Sequence, residues 1–367
     1  MSSRVPATTS NPRLDGLWAL LLLLGCGADP SAGSGSGDTG TTSGAEVTSA
    51  FTTTVDSGST VGMDASGSGG ASSDGTHGTT SDPGTGTGGP QPDDCITDTS
   101  AGHHAFECDG LTYDLEVPPQ CLAGGCGLIV DVHGFTMSAQ MQDANTDMRA
   151  RGLEHDFIVL QPNANPAPPL ASWNPATDDD KVFAFLQRVA TVFAVDPDRI
   201  HFTGFSQGGF MSWRFACAHA DVLASVAPGA ACGNGGGAFP DCVFDDANAP
   251  SEPLDILYLH GTTDALVNIA CAQPRIDAVV EHFGLGPAMP VEQDDGHRWI
   301  RHASDEMVLE YIEHDYAAGS PLILGHCFPG STDPGDATGQ VFSFACEGDN
   351  AFVWGEAVMD FFLAHPK

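Results

Sequence analysis

The chain has 367 residues, with 12 Lys and Arg against 48 Asp and Glu, for a formal charge of −36 at pH 7. Such a surface repels phosphate backbones, which argues against a nucleic-acid partner and leaves solubility as the plain consequence of the acidity. Length alone would allow two average domains, but the first quarter is too poor in apolar side chains to offset the chain entropy lost on folding, so one folded domain is expected.

Arg4 and Arg13 precede an apolar run from Leu17 to Leu24. A basic region followed by a short apolar run reads as an export signal, too short to cross a bilayer as a stable helix. The run ends in Leu23-Leu24-Gly25-Cys26, which resembles the bacterial lipobox. That resemblance implies a signal peptide over residues 1–26, lipid on Cys26, and a cell-envelope lipoprotein whose only membrane contact is the anchor. Residues 27–94, rich in Gly, Ser, Thr, Asp and Pro, read as a flexible linker, and residues 95–367 as the folded domain.

Ten further cysteines follow, an even set of the kind an oxidising compartment produces. No Cys-x-x-Cys pair and no His spacing completes a zinc site, so disulfides are expected and no metal. Proximity suggests the pairs Cys95–Cys108, Cys121–Cys126 and Cys232–Cys242, with Cys217–Cys271 and Cys327–Cys346 completing the set.

In the folded part, short apolar runs alternate with segments of helical period, the pattern of a mostly parallel central sheet with helices on both faces. Strands are expected over 127–132, 157–160, 199–205, 223–226, 254–260 and 321–324. Helices are expected over 138–153, 179–195, 206–219 and 352–365.

The strand over 199–205 runs into Gly204-Phe205-Ser206-Gln207-Gly208, which fits the G-x-S-x-G turn that lifts a serine clear of a sheet. A phosphate-binding turn would need a Walker Lys or the G-x-G-x-x-G spacing, and neither is present. A serine needs a base to take its proton, and in this fold the acid and then the histidine follow in the chain. Asp264 sits on the loop after the strand 254–260. Asp241, Asp245 and Asp246 are alternatives that read better as solvated charges. His326 lies on a Gly- and Pro-marked loop after the expected strand 321–324, whereas its rival His297 precedes a strand-like run. The oxyanion hole needs two backbone N–H groups, for which Gln207 and Phe135 are the candidates. His133 precedes the nucleophile and reads as a structural hydrogen-bonder.

These segments together resemble the polyhydroxybutyrate depolymerase and feruloyl esterase family. The matching residues are His133-Gly134, Trp173-Asn174 with Asp178-Asp179-Asp180, and the stretch Val195-Asp196-Pro197-Asp198-Arg199-Ile200 leading to Gly204–Gly209. His260-Gly261-Thr262-Thr263-Asp264 and Gly325-His326-Cys327-Phe328-Pro329-Gly330 complete the set, with Phe328 where the family carries Trp. The resemblance implies an α/β-hydrolase fold, a Ser206–His326–Asp264 triad, a carboxylic ester substrate that can be polymeric, no cofactor, and a monomer. Trp173 and Phe328 are the candidates to line a substrate groove. The triad does not by itself separate an esterase from a serine peptidase, and a non-catalytic binding module is the reading from another class.

Overall fold

The apolar runs become strands because β-branched and aromatic side chains pack well on both faces of a buried sheet. In a computed structural model describing residues 89–232, 242–244, 249–333, 335 and 343–367, ten strands form one sheet. They are β1 (Gly102–Cys108), β2 (Leu111–Val117), β3 (Gly127–Val132), β4 (Phe157–Asn163), β5 (Ile200–Phe205), β6 (Ser225–Gly229), β7 (Asp255–Gly261), β8 (Met289–Gln293), β9 (His297–Ala303) and β10 (Val308–His314). Their order is β1-β2-β4-β3-β5-β6-β7-β10-β9-β8. The six strands from β4 to β10 in that order are parallel, and antiparallel pairs close both edges.

Among the described residues six helices cover the sheet: α1 (Ala139–Thr146), α2 (Met148–His155), α3 (Asp178–Val192), α4 (Gln207–Ala218), α5 (Ala272–Phe283) and α6 (Trp354–Ala364). Alternate strand residues divide between two cores. Leu128, Val130, Leu160 and Tyr258 pack with Phe185 of α3, Trp213 of α4 and Val279 of α5. Ile129, Val159, Leu257 and Leu259 pack with Met141 of α1, Met148 of α2 and Phe362 of α6. Each such side chain contributes about 1.5–3 kcal/mol when fully buried. This is the α/β-hydrolase architecture, with helices on both faces as expected.

Several local expectations change. The helix expected over 138–153 is two helices, because Asp147 takes a left-handed φ of 53°. Residues 321–324 form a turn and contribute only an isolated bridge, Asp264 to Leu324, so the last parallel strand is β10 instead. Three disulfides pair as expected, Cys95–Cys108, Cys121–Cys126 and Cys327–Cys346. The other four cysteines exchange partners, giving Cys217–Cys242 and Cys232–Cys271. Cys217 lies in α4 and Cys271 opens into α5, so each helix is tied to one end of the chain between residues 232 and 242 and not to the other helix. The folded part also begins before Cys95, since Asp93 and Asp94 both pair with Arg188 of α3. Cys26, the linker up to residue 88, and Asp241, Asp245 and Asp246 lie outside the described residues.

Candidate active site

β5 is buried along its whole length and delivers the chain to Ser206, which has φ 56° and ψ −115°. A non-glycine residue in that region stores about 1–3 kcal/mol of strain, which the surroundings must hold. They do so through Ser206 N–H donating to Gly229 O at 2.9 Å and Ser206 O accepting from Phe210 N–H at 2.9 Å. α4 then starts immediately. Its first turn lies so close to β3 that a Cβ on Gly208 would stand 2.0 Å from Val132 O. Only glycine allows that approach.

The loop after β3 passes close to Ser206. A Cβ on Gly134 would stand 3.1 Å from Ser206 Cβ, and Met137 N–H donates to Gly134 O to close a turn around Phe135. The Phe135 N–H has no protein acceptor among the described residues. Gln207 is the first residue of α4, where amides lack intrahelical partners and the helix dipole is positive. Both oxyanion candidates therefore belong to segments that adjoin Ser206.

That loop is braced from behind. The Trp173 indole Nε1–H donates to His133 O at 2.8 Å, and Thr136 N–H donates to Ala171 O. The Gln207 side chain accepts from Trp173 N–H at 3.1 Å. His133 is fully buried and accepts from Ala164 N–H at Nε2, and burial pushes it down to about 4. It is a structural hydrogen-bonder, as expected. Trp173 does not line a groove: it is 3% exposed and its polar edge is already used in the brace. Phe328 is likewise fully buried, stacked on Phe205 at 3.9 Å under the serine turn. Both belong to the core, Trp173 to the cluster that holds Trp213 and Phe328 to the cluster that holds Phe362.

Asp264 and His326 come together from two loops. Asp264 Oδ1 accepts from Leu266 and Val267 N–H at 2.9 and 2.8 Å, and Oδ2 meets His326 Nδ1 at 2.7 Å. Burial alone would raise the Asp264 carboxyl. The charge and hydrogen bond of His326, with His260 and Val267, outweigh it and hold the group below the usual carboxylate range. The loops also bond to each other, Ala265 N–H to Ile323 O and Gly325 N–H to Thr263 O. His326 is 1% exposed, with its ring 4.8 Å from the Phe205 ring, next to Ser206 in sequence. Its loop is fixed by Cys327–Cys346, by Phe328 N–H to Phe344 O, and by Trp354 N–H to Pro329 O.

His297 opens β9 and pairs with Asp294 on the antiparallel margin of the sheet. The acidic run at 178–180 is structural: Asp178 accepts from Asn174 N–H, and Asp179 pairs with Arg214 of α4. Among the described residues no three His, Cys, Asp or Glu side chains are grouped to hold a metal. Sequence reasoning overlooked the side chains of Gln207 and His260. Both stood inside the quoted motifs, where only the backbone of the first and the family match of the second drew notice.

No family model matches the chain. It is 25% identical over 162 residues to a bifunctional acetylxylan esterase/xylanase of Neocallimastix patriciarum, covering 43% of this chain and 22% of that protein. It is 31% identical over 146 residues to feruloyl esterase B of Piromyces equi, covering 38% and 26%. To poly(3-hydroxyalkanoate) depolymerase C of Paucimonas lemoignei it is 29% identical over 120 residues, covering 30% and 29%. The chain thus spans between 22% and 29% of the length of these relatives. Their names bear out the resemblance to an esterase family of the α/β-hydrolase type.

Proposed function

We propose that this chain is an exported serine hydrolase of carboxylic esters, acting through Ser206, His326 and Asp264. The observation that carries the reading is the 2.7 Å contact between Asp264 Oδ2 and His326 Nδ1, made where the ring of His326 abuts Phe205, the residue before the strained serine. Asp264 fixes the imidazole with its proton on Nδ1, leaving Nε2 as the base. His326 takes the Ser206 proton as Oγ attacks the ester carbonyl, and the Gln207 and Phe135 amides stabilise the oxyanion. The tetrahedral intermediate expels the alcohol, which receives that proton from His326. Water, deprotonated by the same nitrogen, then releases the acid and restores Ser206.

The substrate class is a carboxylic ester within or attached to a polymer, of the polyhydroxyalkanoate, feruloyl or a related type, in line with what the names of the relatives say of those proteins. Five disulfides support folding in an oxidising compartment. Residues 1–26 act as a lipoprotein signal, Cys26 carries the anchor, and the segment from residue 27 to about residue 92 is the spacer, since Asp93 and Asp94 already pair with Arg188 of the folded domain. The test is exposure of the purified protein to a fluorophosphonate, with a panel of p-nitrophenyl acyl esters, feruloyl esters and a polyhydroxybutyrate suspension. An adduct on the Ser206 peptide with loss of ester hydrolysis is expected. A protein that neither labels nor turns over any of these esters overturns the reading.

A further inference from the structure

β7 carries a second histidine into the site. His260 is fully buried, four residues before Asp264. Its Nε2 lies 2.8 Å from Val267 O, and its Nδ1 lies 2.7 Å from the Tyr258 hydroxyl. A carbonyl can only accept, so the proton sits on Nε2, and the Tyr258 hydroxyl donates to Nδ1. Two partners on opposite sides of the ring thus fix one tautomer.

Val267, whose carbonyl receives that proton, gives its own N–H to Asp264 Oδ1. His260 Nε2 also stands 3.6 Å from Asp264 Oδ2, the oxygen that accepts from His326. Tyr258, His260, Val267 and Asp264 therefore form one linked path from β7 to the His326 contact. The titratable groups facing His260 are Asp264, His326, Glu313 and Tyr258, together with His314 from β10. Burial is the largest influence on His260 and holds it below the usual imidazole range, although Asp264 pulls the other way. A neutral ring adds a dipole beside Oδ2, whereas a second imidazolium would compete with His326 for the same oxygen.

We propose that His260 is a positioning residue: held by Tyr258, it ties down the Val267 carbonyl so that the Asp264 carboxylate stays aimed at His326. The proposal rests on the Ser206–His326–Asp264 reading above. It concerns how the acid is held, and no atom of His260 meets the substrate.

The test uses the full chain with p-nitrophenyl acetate, comparing His260→Leu, His260→Gln and Tyr258→Phe with the parent. His260→Leu lowers kcat by about ten- to a hundredfold, the cost of misplacing a catalytic group, while KM stays within about twofold. The acidic limb of the kcat/KM profile moves to lower pH, because a displaced carboxylate supports positive charge on His326 less well. His260→Gln, whose amide can still donate to Val267 O, recovers part of the loss in both readouts, and Tyr258→Phe shows a smaller loss of the same kind. His260→Leu with parent kcat and an unmoved acidic limb overturns the proposal. If that variant does not fold, Tyr258→Phe with a parent profile does so instead. Full activity of Ser206→Ala would sink the triad reading, whereas fluorophosphonate labelling of Ser206 with an indifferent His260 would sink this proposal alone.

Discussion

The two halves of the site are built in different ways. Ser206, its strand, its helix and the Gln207 amide come from one continuous stretch, β5 and α4, and the constraint that shapes them is local. Asp264 and His326 are 62 residues apart and meet only because two loops bond to each other and a disulfide pins the second. A local turn can be encoded in five residues. An assembled contact depends on everything that brings its loops to the same place, so small distant changes should weaken the acid–base half first.

The largest expected effect tests the local half. Ser206→Ala should lower kcat on the order of a millionfold, as loss of a triad nucleophile does, with an unchanged circular dichroism spectrum. A variant that keeps measurable parent-like turnover of p-nitrophenyl acetate would end the assignment. Asp264→Asn comes next, at about ten-thousandfold in kcat, because an amide no longer fixes the His326 tautomer. The comparison is sharpened if fluorophosphonate still labels Ser206 in this variant, only more slowly. Equal loss of labelling in both would show that the two halves are not separable.

A third change touches no reacting group. Replacing Cys327 and Cys346 together by Ser removes a loop closure worth roughly 3 kcal/mol in the chain-entropy model. Cys327 follows His326 directly, so the base loop should shift and kcat should fall about a hundredfold. The control is the double Cys121→Ser and Cys126→Ser variant, whose disulfide closes a short turn before β3. If both double variants lose activity in step with their Tm, the disulfide at the base is merely structural.

The same division explains what could be read in the sequence. The serine turn, the parallel strands β3 to β7 and their helices were legible because each is announced by neighbouring residues: glycines at close approaches and apolar runs of the right length. Asp264 and His326 were singled out through the order of the chain, yet the strand placed before His326 is a turn. Pro321-Leu322-Ile323-Leu324 is apolar enough for a strand, but the sheet position it would take belongs to β10. The strands β1, β2 and β8 went unnoticed because polar and exposed residues interrupt their apolar positions, which hides them from a search for apolar runs, whereas the run after His297 was read as strand-like and is β9. Cysteine pairing failed where proximity in sequence and in space disagree: Cys232 reaches Cys271 past the nearer Cys242. Trp173 and Phe328 were read as groove residues because aromatic rings suit either place. Only the packing shows both in the core.

Trp173 also limits how local the nucleophile half is. Its indole reaches back 40 residues to His133 O, and its amide donates to the Gln207 side chain, so one buried residue links both segments of the proposed oxyanion hole. Trp173→Phe keeps a ring in the core but deletes the Nε1–H, leaving His133 O without that donor. A buried acceptor stripped of its partner costs about 1–3 kcal/mol, which should appear as a lower Tm. The turn that presents the Phe135 amide begins at the next residue, and a misplaced donor acts on the transition state more than on the bound ester. We therefore expect kcat to fall about tenfold with KM nearly constant, less than the hundredfold or more that follows outright removal of an oxyanion donor. Phe362→Leu, an equally buried change on the opposite face in α6, should lower Tm without this loss of kcat. If Trp173→Phe matches the parent in kcat, or if Phe362→Leu loses just as much, the brace does not serve the oxyanion loop, and the nucleophile half stands on its own strand and helix alone.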